Sequence, residues 1–390
     1  MEIRKILPNE NIETIKIQSV CFTMNKDFTT GDKFEEGYEV VRALFNSEGK
    51  MCASLNLIPF LFRMNGETVK MAGIGGVVSL PEERNKGYIK KIFKHTLQEM
   101  RENGQFFSFL YPFSNPYYRQ FGYECCNKVQ KVKIPLTAFA ELKSPGHAKH
   151  FVYTEDIGTV KELYNSFIAD KNLAVVRDEK QFKDLFDRDA YKDLYHTYVW
   201  HNHEGKPVSY ISFGALEGTE NDLDVTELVW DSFESLKGIL GFLYKFYPYY
   251  SNFTGLFPTF MDFRLLFSEP SQVKAEINVR GMNRIVDVEK VLELMKYPGE
   301  SGQVVIEVKD DFCEWNTDTF AVSWKNGKAN VARKELPADL NCSIQELTQL
   351  VTGYATIPQL EAFTGLRVSG NTQLLNSVFS EKQLFLRECF

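Results

Sequence analysis

The sequence predicts a mixed α/β fold divided into three unequal parts, residues 1–135, 136–285 and 286–390. Helix-spaced apolar residues alternate with strand-like runs through the first two parts, with turn signals between them. The third part changes character, because two strands flank the turn 325–328 and a helix with its own capping box follows. A chain of 390 residues is long enough for two or three domains at about 150 residues each.

The first part has the clearest patterning. Asn65-Gly66 is a hairpin signal, and Asn103-Gly104 is typical of the end of a helix. The predicted elements in order are a helix over 9–22, strands over 51–63 and 68–80, a charged turn over 81–87, a helix with the apolar face Ile89, Ile92, Phe93, Leu97 and Met100, a strand over 106–111, a loop with a short helix over 112–122 and a strand from Tyr123.

The second and third parts have weaker signals. In order, the second part is predicted to form strands over 173–176 and 197–200, a turn over 202–206, strands over 207–213 and 224–230 and a helix over 232–246. The third is predicted to form a helix over 286–295, strands over 303–309, 319–324 and 329–333 and a helix over 343–352. The apolar end of the chain, 384–390, is expected to be tucked into a pocket, since chain ends are usually polar.

Composition excludes several classes of protein. The net charge is −7 and aromatic residues make up 14% of the chain, which argues against a nucleic-acid binder and against disorder. The N-terminus has no apolar signal-peptide region, and no stretch approaches the roughly 18 apolar residues of a membrane span. We therefore expect a cytoplasmic protein with no nucleic-acid or membrane partner.

The cysteines and histidines do not predict a metal centre. The seven Cys are irregularly spaced without a Cys-x-x-Cys, which favours reduced, mostly buried thiols. His147 with His150 and His201 with His203 are spaced closely enough to chelate a metal, but surface loop positions are the better interpretation.

The strongest chemical signal is the strand–turn–helix around Arg84. A basic turn with a glycine, Arg84 to Gly87, opens the helix that carries Ile89. Such a turn presents backbone N–H groups and the positive end of the helix dipole, which together bind a pyrophosphate. An ordinary charged turn is the alternative, and the sequence has neither a Walker A loop nor a dinucleotide-binding glycine motif.

Residues 77–90 resemble the acyl-CoA signature of the GNAT N-acetyltransferases, in which Arg-x-x-Gly-x-Gly/Ala follows a strand. The chain departs from that signature at Ile89. Residues 116–123 resemble the Tyr-x-x-Phe-Gly-Tyr segment of the enhanced intracellular survival (Eis) family, whose chains also tend to end in an aromatic residue, here Phe390.

The resemblance implies two tandem GNAT-fold domains followed by a sterol-carrier-protein-like α/β domain. Residues 1–135 would be the catalytic GNAT domain, 136–285 a degenerate one, and 286–390 the domain that supplies the C-terminal carboxylate. The best counterpart of the CoA turn in the second part lacks Arg-x-x-Gly and carries Asp231 and Glu234, which would repel a pyrophosphate.

The resemblance also implies roles for particular residues. Tyr118 would be the general acid and the α-carboxylate of Phe390 the general base, with Asp27 and Glu388 attracting a cationic substrate. Acetyl-CoA would be the co-substrate, held by Val77, Val78, Ser79, Arg84, Asn85, Lys86, Gly87, Tyr88, Ile89, Lys90, Phe113 and Ser114.

These roles leave alternatives open. Tyr117 is the acid if the motif is shifted by one residue, and Tyr118 is then a packing residue. A carboxylate of ordinary pKa is a weak base, so the terminal group would need burial, a bridging water, or a role limited to orienting the ammonium.

The resemblance implies an N-acetyltransferase acting on small amines, aminoglycosides or other polyamines among them, without a metal and as a homo-oligomer, a hexamer in that family. A non-catalytic acyl-CoA or lipid binder, or an acetyl-CoA sensor, is the alternative.

Overall fold

In the computed structural model, the described residues are 1–22, 37–215 and 221–388. They form a mixed α/β structure with three sheets, as predicted. Contacts between residues divide the chain into two compact units. The first consists of 1–127, 280–382 and the residues from 387 onward, and the second of 128–279 and 383–386.

The first unit contains a seven-stranded sheet in the order β1-β2-β3-β4-β5-β14-β6. Its strands are β1 Glu2–Lys5, β2 Val41–Phe45, β3 Met51–Met64, β4 Glu67–Ser79, β5 Phe107–Leu110, β6 Glu124–Cys125 and β14 Met282–Ile285. Neighbouring strands are antiparallel except β4 and β5, which run parallel. The helices packed with this sheet are α1 Asn11–Phe22, α2 Tyr88–Glu102 and α3 Asn115–Arg119.

The same unit contains a five-stranded sheet in the order β17-β16-β15-β18-β19. Its strands are β15 Ser301–Lys309, β16 Asp318–Lys325, β17 Lys328–Arg333, β18 Leu340–Ser343 and β19 Arg367–Val368. Its helices are α7 Val288–Leu294, α8 Ile344–Thr352, α9 Ile357–Thr364 and α10 Thr372–Val378. Ser343 and Glu346 cap α8 reciprocally, which confirms the predicted capping box.

The second unit is built on a seven-stranded sheet in the order β13-β7-β12-β11-β10-β9-β8. Its strands are β7 Lys128–Pro135, β8 Gly146–His150, β9 Tyr195–Asn202, β10 Pro207–Ala215, β11 Asp222–Trp230, β12 Asn252–Pro258 and β13 Lys274–Val279. Its helices are α4 Tyr153–Ile168, α5 Glu179–Phe186 and α6 Phe233–Leu243.

Strongly patterned elements form where the sequence predicts them. On the predicted face of α2, Ile92, Phe93, Leu97 and Met100 are fully buried, while Ile89 is partly buried. The predicted helix over 232–246 is the α-helix α6 followed by a 3₁₀ turn.

The predicted strand over 173–176 is wrong. Leu173 has a positive φ of 64°, which a strand does not accommodate. At this place the structure has isolated bridge residues and no strand, at Asn172, which pairs with Leu384, and at Val175.

Two strands pair outside the part to which the sequence-based division assigns them. β7 lies between β13 and β12 in the second unit's sheet, and β14 lies between β5 and β6 in the first unit's sheet. Strand periodicity predicts which residues are buried but not which strand is the neighbour.

The described part of the apolar chain end, 384–388, is partly to fully buried. Phe385 and Leu386 are almost fully buried, and the Phe385 ring lies 5.3 Å from that of Phe167 in the second unit. Cys389 and Phe390 lie outside the described residues. Of the six described cysteines, which are all free thiols, Cys21 and Cys125 are partly exposed and the other four are buried.

Candidate active site

A bulge interrupts the regular pairing of β4, the central strand of the first sheet. Between Ser54 and Asn56 of β3 the register shifts, so that two residues of β4, Gly76 and Val77, oppose the single residue Leu55 of β3. Gly76 lies in this bulge with a φ of 55°, and a Cβ atom there would lie 2.7 Å from the amide nitrogen of Gln18. The parallel pairing of β4 with β5 covers only Met71 to Ile74. The last residues of β4 therefore lie beyond that ladder.

A pocket of about 780 Å³ lies at this place. It is bounded by the end of β4, the turn before α2, the end of α1 and the α3 segment. Its lining residues are Cys21, Phe22, Val77, Val78, Ser79, Glu83, Arg84, Asn85, Gly87, Tyr88, Ile89, Lys90, Phe113, Tyr117, Gln120 and Phe121. The structure thus brings together ten of the twelve residues that the sequence assigns to acetyl-CoA.

The turn before α2 leaves the helix N-terminus accessible. Gly87 is the N-cap residue, with a φ of 73° and no side chain to occupy the first N–H groups of the helix. Asn85 also has a positive φ, 64°. Arg84 and Lys90 are exposed beside them. Accessible N–H groups, the helix dipole and two cations are the features that suit a pyrophosphate.

Lys86 and Ser114 are not among the residues that line this pocket. The Lys86 ammonium lies 2.7 Å from a carboxylate oxygen of Glu83, and this contact raises the pKa of Lys86. Ser114 is the N-cap residue of α3, and its carbonyl accepts a hydrogen bond from the backbone of Tyr118 at 3.4 Å.

The two candidate acids differ in their surroundings. Tyr117 lines the pocket and is partly buried, whereas Tyr118 is only 3% exposed. The Tyr118 ring lies 5.5 Å from that of Phe113, a lining residue, and 5.3 Å from that of Tyr117. Burial raises the pKa of both phenols, that of Tyr118 far above its usual range. Both groups hold their proton at neutral pH, as a general acid requires.

The Phe121-Gly122-Tyr123 segment follows α3 and is packed from both sides. Phe121 stacks on Phe93 of α2 at 4.5 Å between ring centroids, and the Tyr123 hydroxyl lies 2.5 Å from that of Ser108. Gly122 has a φ of 81°. The glycine of this motif therefore sits in a conformation that other residues avoid.

Arg284 contacts this segment and Asp310 contacts Arg284, and the sequence analysis singled out neither residue. Both are buried, and the Arg284 guanidinium bonds to the Phe121 carbonyl and to the Asp310 carboxylate. The available signal was a cation followed directly by the apolar pair Ile285-Val286 in a short strand-like run, where a buried charged residue needs a partner.

Of the predicted substrate and base residues, only Glu388 is described. The Tyr111 hydroxyl, just beyond β5, donates a hydrogen bond to the Glu388 carbonyl. Asp27 falls within 23–36 and Phe390 is the last residue, so both lie outside the described residues.

The corresponding turn in the second unit is built differently. Ser232 and Ser235 cap the N-terminus of α6 with their own side chains. The first N–H groups of that helix are thus partly satisfied internally, in contrast to those of α2.

Within the described residues, no helix is long and apolar enough to cross a membrane. The same residues contain no cluster of three or more His, Cys, Asp or Glu side chains placed to hold a metal ion.

The sequence matches three known domain families. An acetyltransferase (GNAT) domain matches residues 2–126, and a second acetyltransferase (GNAT) domain matches 173–285. A sterol carrier protein domain matches 288–387. Among curated proteins, none is significantly similar to this chain in sequence.

Solved structures of similar fold cover the whole chain. A probable N-acyltransferase of unknown function from Enterococcus faecalis V583 has a TM-score of 0.88 at 23% identity, covering 100% of this chain and 99% of its own. A GCN5-related N-acetyltransferase from Anabaena variabilis has a TM-score of 0.87 at 24% identity, with both chains fully covered. Eis1 from Mycobacterium abscessus has a TM-score of 0.82 at 18% identity, also with both chains fully covered.

Proposed function

Since the chain belongs to the GNAT N-acetyltransferases, with an Eis-like order of two GNAT domains and a sterol carrier protein domain, we propose that it acetylates a primary amine of a cationic small molecule, such as an aminoglycoside or another polyamine. The observation that carries this proposal is the pocket at the β4 bulge, where the open N-terminus of α2 and an aromatic acid candidate lie together.

The cofactor end of the site binds acetyl-CoA through backbone and charge. The pyrophosphate lies at the N-terminus of α2, between Arg84 and Lys90, where N–H groups and cations offset its charge. The pantetheine arm lies along 77–79, beyond the parallel ladder of β4 with β5.

The reaction needs one acid and one base. The amine nitrogen attacks the thioester carbonyl carbon, and the carbon–sulfur bond then breaks. Tyr118 gives its proton to the departing sulfur, so that CoA leaves as the thiol. The amine loses one proton to a base, and Tyr118 recovers its proton from solvent. A positioned proton donor of this kind contributes about 10²- to 10⁴-fold to a rate.

The terminal carboxylate of Phe390 is the proposed base, directly or through a water. Glu388, two residues before Phe390 in the sequence, is held at Tyr111 just beyond β5. Glu388 and Asp27 add negative charge for a cationic substrate. The cytoplasmic location, the absence of a metal requirement and the homo-oligomeric state remain predictions.

Thiol release from acetyl-CoA tests the function, with aminoglycosides, polyamines and lysine peptides as acceptors. We expect release that depends on the amine and is lost when Phe390 is deleted. Release that survives the deletion would retain the transferase and remove the carboxylate from its role. Tight CoA binding without release for any amine would favour the acyl-CoA binder or sensor.

A further inference from the structure

A buried ion pair lies beneath the segment that follows α3. Arg284 of β14 and Asp310, just after β15, have fully buried side chains. Asp310 is itself held, because one carboxylate oxygen accepts from the backbone N–H groups of Phe312 and Cys313 at 3.1 and 2.9 Å. Its other oxygen accepts from the Asn316 amide at 2.9 Å. The 310–316 loop therefore fixes the carboxylate independently of its contact with the guanidinium.

The guanidinium is fixed in turn by three groups. Its Nη2 faces Asp310, its Nη1 donates to the Phe121 carbonyl, and its Nε donates to the Ile285 carbonyl at 3.1 Å. Gly122 makes this approach possible, since a Cβ atom there would lie 2.5 Å from Nη1. A planar fork of donors suits such divided contacts better than a single ammonium.

The bond to Phe121 leads directly to Tyr118. The Tyr118 carbonyl accepts from the backbone N–H of Phe121 at 3.0 Å and from that of Tyr123 at 3.4 Å. The Phe121 ring packs between Phe93 and Phe312, at 4.5 and 5.2 Å between centroids. Arg284 thus holds the turn that ends α3. Tyr118 is the second-last residue of this helix.

We propose that Arg284, fixed by Asp310, is a positioning residue for the acid Tyr118. Asp310 lies in the part of the chain that matches the sterol carrier protein domain, so this domain keeps the acetyl-transfer site in its active geometry. This inference rests on the proposed function for its kinetic consequence. Its structural basis, a guanidinium clamp on the 118–123 turn, is independent of turnover.

Loss of the Asp310 charge leaves the guanidinium buried without its counter-ion. A buried charge without a partner is strongly unfavourable, so Arg284 moves or draws in water. Either response releases the Phe121 carbonyl. Small misplacements of a reacting group lower the rate while the substrate still binds.

Asp310→Asn is the main variant and Asp287→Asn its matched control. Asp287 forms another carboxylate–arginine contact of the first unit, 2.8 Å from Arg101 near the C-terminal end of α2, and its side chain is also largely buried while Arg101 is partly exposed. We expect kcat of Asp310→Asn to fall on the order of 10- to 100-fold, with KM for acetyl-CoA unchanged. Asp287→Asn should turn over like the wild type. The kcat of Arg284→Lys should fall less than that of Arg284→Met, because lysine keeps the positive charge.

Hydrogen exchange of residues 115–125 gives the readout that does not need turnover. We expect this segment to exchange faster in Asp310→Asn, and α2 to stay protected in both variants. Unchanged exchange at 115–125, an unchanged kcat in Asp310→Asn, or an equal kcat loss in Asp287→Asn would overturn the proposal. If Asp310→Asn fails to fold, Arg284→Lys decides by the same two measurements.

Failure of the two ideas can be told apart. A wild-type protein that releases no thiol with any amine refutes the proposed function. The exchange measurement then judges the clamp by itself, and faster exchange in Asp310→Asn still supports it.

Discussion

Tyr118 combines a buried phenol with a position one ring away from the pocket. Its burial raises the pKa of the phenol, which keeps the proton on the oxygen until charge develops on a neighbouring sulfur. Tyr117 lies at the pocket wall itself. The structure therefore keeps both tyrosines as candidates, and their hydroxyl groups can be removed one at a time.

We expect Tyr118→Phe to lower kcat by about 10²-fold, because the leaving thiolate loses its acid. KM for acetyl-CoA should stay the same, since the phenol takes no part in holding the pyrophosphate. Steady-state kinetics with a saturating amine measures both constants. Tyr117→Phe is the control, and a larger loss in this variant than in Tyr118→Phe would assign the acid to Tyr117.

Gly122 has a positive φ and also lies against the Arg284 guanidinium. A second glycine that has only the positive φ distinguishes the two effects. Gly365 has a similar φ of 78°, with no neighbouring atom within 4 Å of a built Cβ. We expect Gly365→Ala to cost about 1–2 kcal/mol from backbone conformation. Gly122→Ala should cost about 1–3 kcal/mol more, because the methyl group meets the Arg284 guanidinium.

Urea denaturation of both variants measures this difference. Equal shifts of the unfolding midpoint would mean that the guanidinium moves aside without cost. That result would weaken the case for a tight clamp at Phe121.

At the level of single residues, the sequence predicts well which residues come together around the turn before α2. Arg84 to Lys90 are adjacent along the chain, so local pattern alone indicates that they share a turn. Arg284 and Asp310 lie far from Phe121 in sequence, and their contact follows from strand pairing that no local pattern encodes. Lys86 shows the opposite limit, because its charge suggests a phosphate ligand while its side chain pairs with Glu83.

Among the elements, the turn before α2 allows the most direct test of cofactor binding. Arg84→Gln should raise the Kd of CoA about 10-fold, which corresponds to one charge-assisted hydrogen bond. Lys86→Gln should have a much smaller effect, because this ammonium faces Glu83 and not the pocket. Calorimetry at one fixed salt concentration compares the two, and an equal loss in both would place Lys86 on the phosphate as well.

Elements with a long, regular pattern are predictable and short ones are not. β3, β4 and α2 each span more than ten residues. Elements of this length contain several repeats of their apolar pattern, so the pattern can be recognised in the sequence. β14 has four residues and α10 has seven. The predicted strand at 173–176 fails because four apolar residues in a row fit a buried loop as well as a strand.

At the scale of the whole molecule, the second unit has a pH dependence of its own. His196 and His201 are partly buried, and burial is the main reason that the pKa of each is lowered. His150 and His147 add repulsion from 3.4 Å between ring nitrogens and from 5.2 Å between stacked rings, respectively. Folding therefore favours the neutral form of His196 and His201.

We expect the second unit to lose stability as pH falls. The unfolded histidines take up protons near pH 6.5, while the folded ones do so only at lower pH. The contribution of these histidines to the free energy of unfolding is fully present above the pKa of the unfolded histidines, and it decreases as the pH falls below that value. Urea midpoints at about pH 7.5 and 5.5 should differ in the wild type and converge in a His196→Gln, His201→Gln double variant. An equal pH dependence in both proteins would contradict this.

The position of β14 has a consequence for how the protein is made. β5 and β6 of the first sheet do not pair with each other, and β14 completes the sheet between them. A ribosome reaches β14 only after translating about 150 further residues, which takes on the order of ten seconds or longer. Until then the nascent first sheet lacks the strand that joins β5 to β6 near one edge, and most of the second unit can emerge during this wait. A gene truncated after the first domain would yield a sheet in which β6 has no strand to pair with.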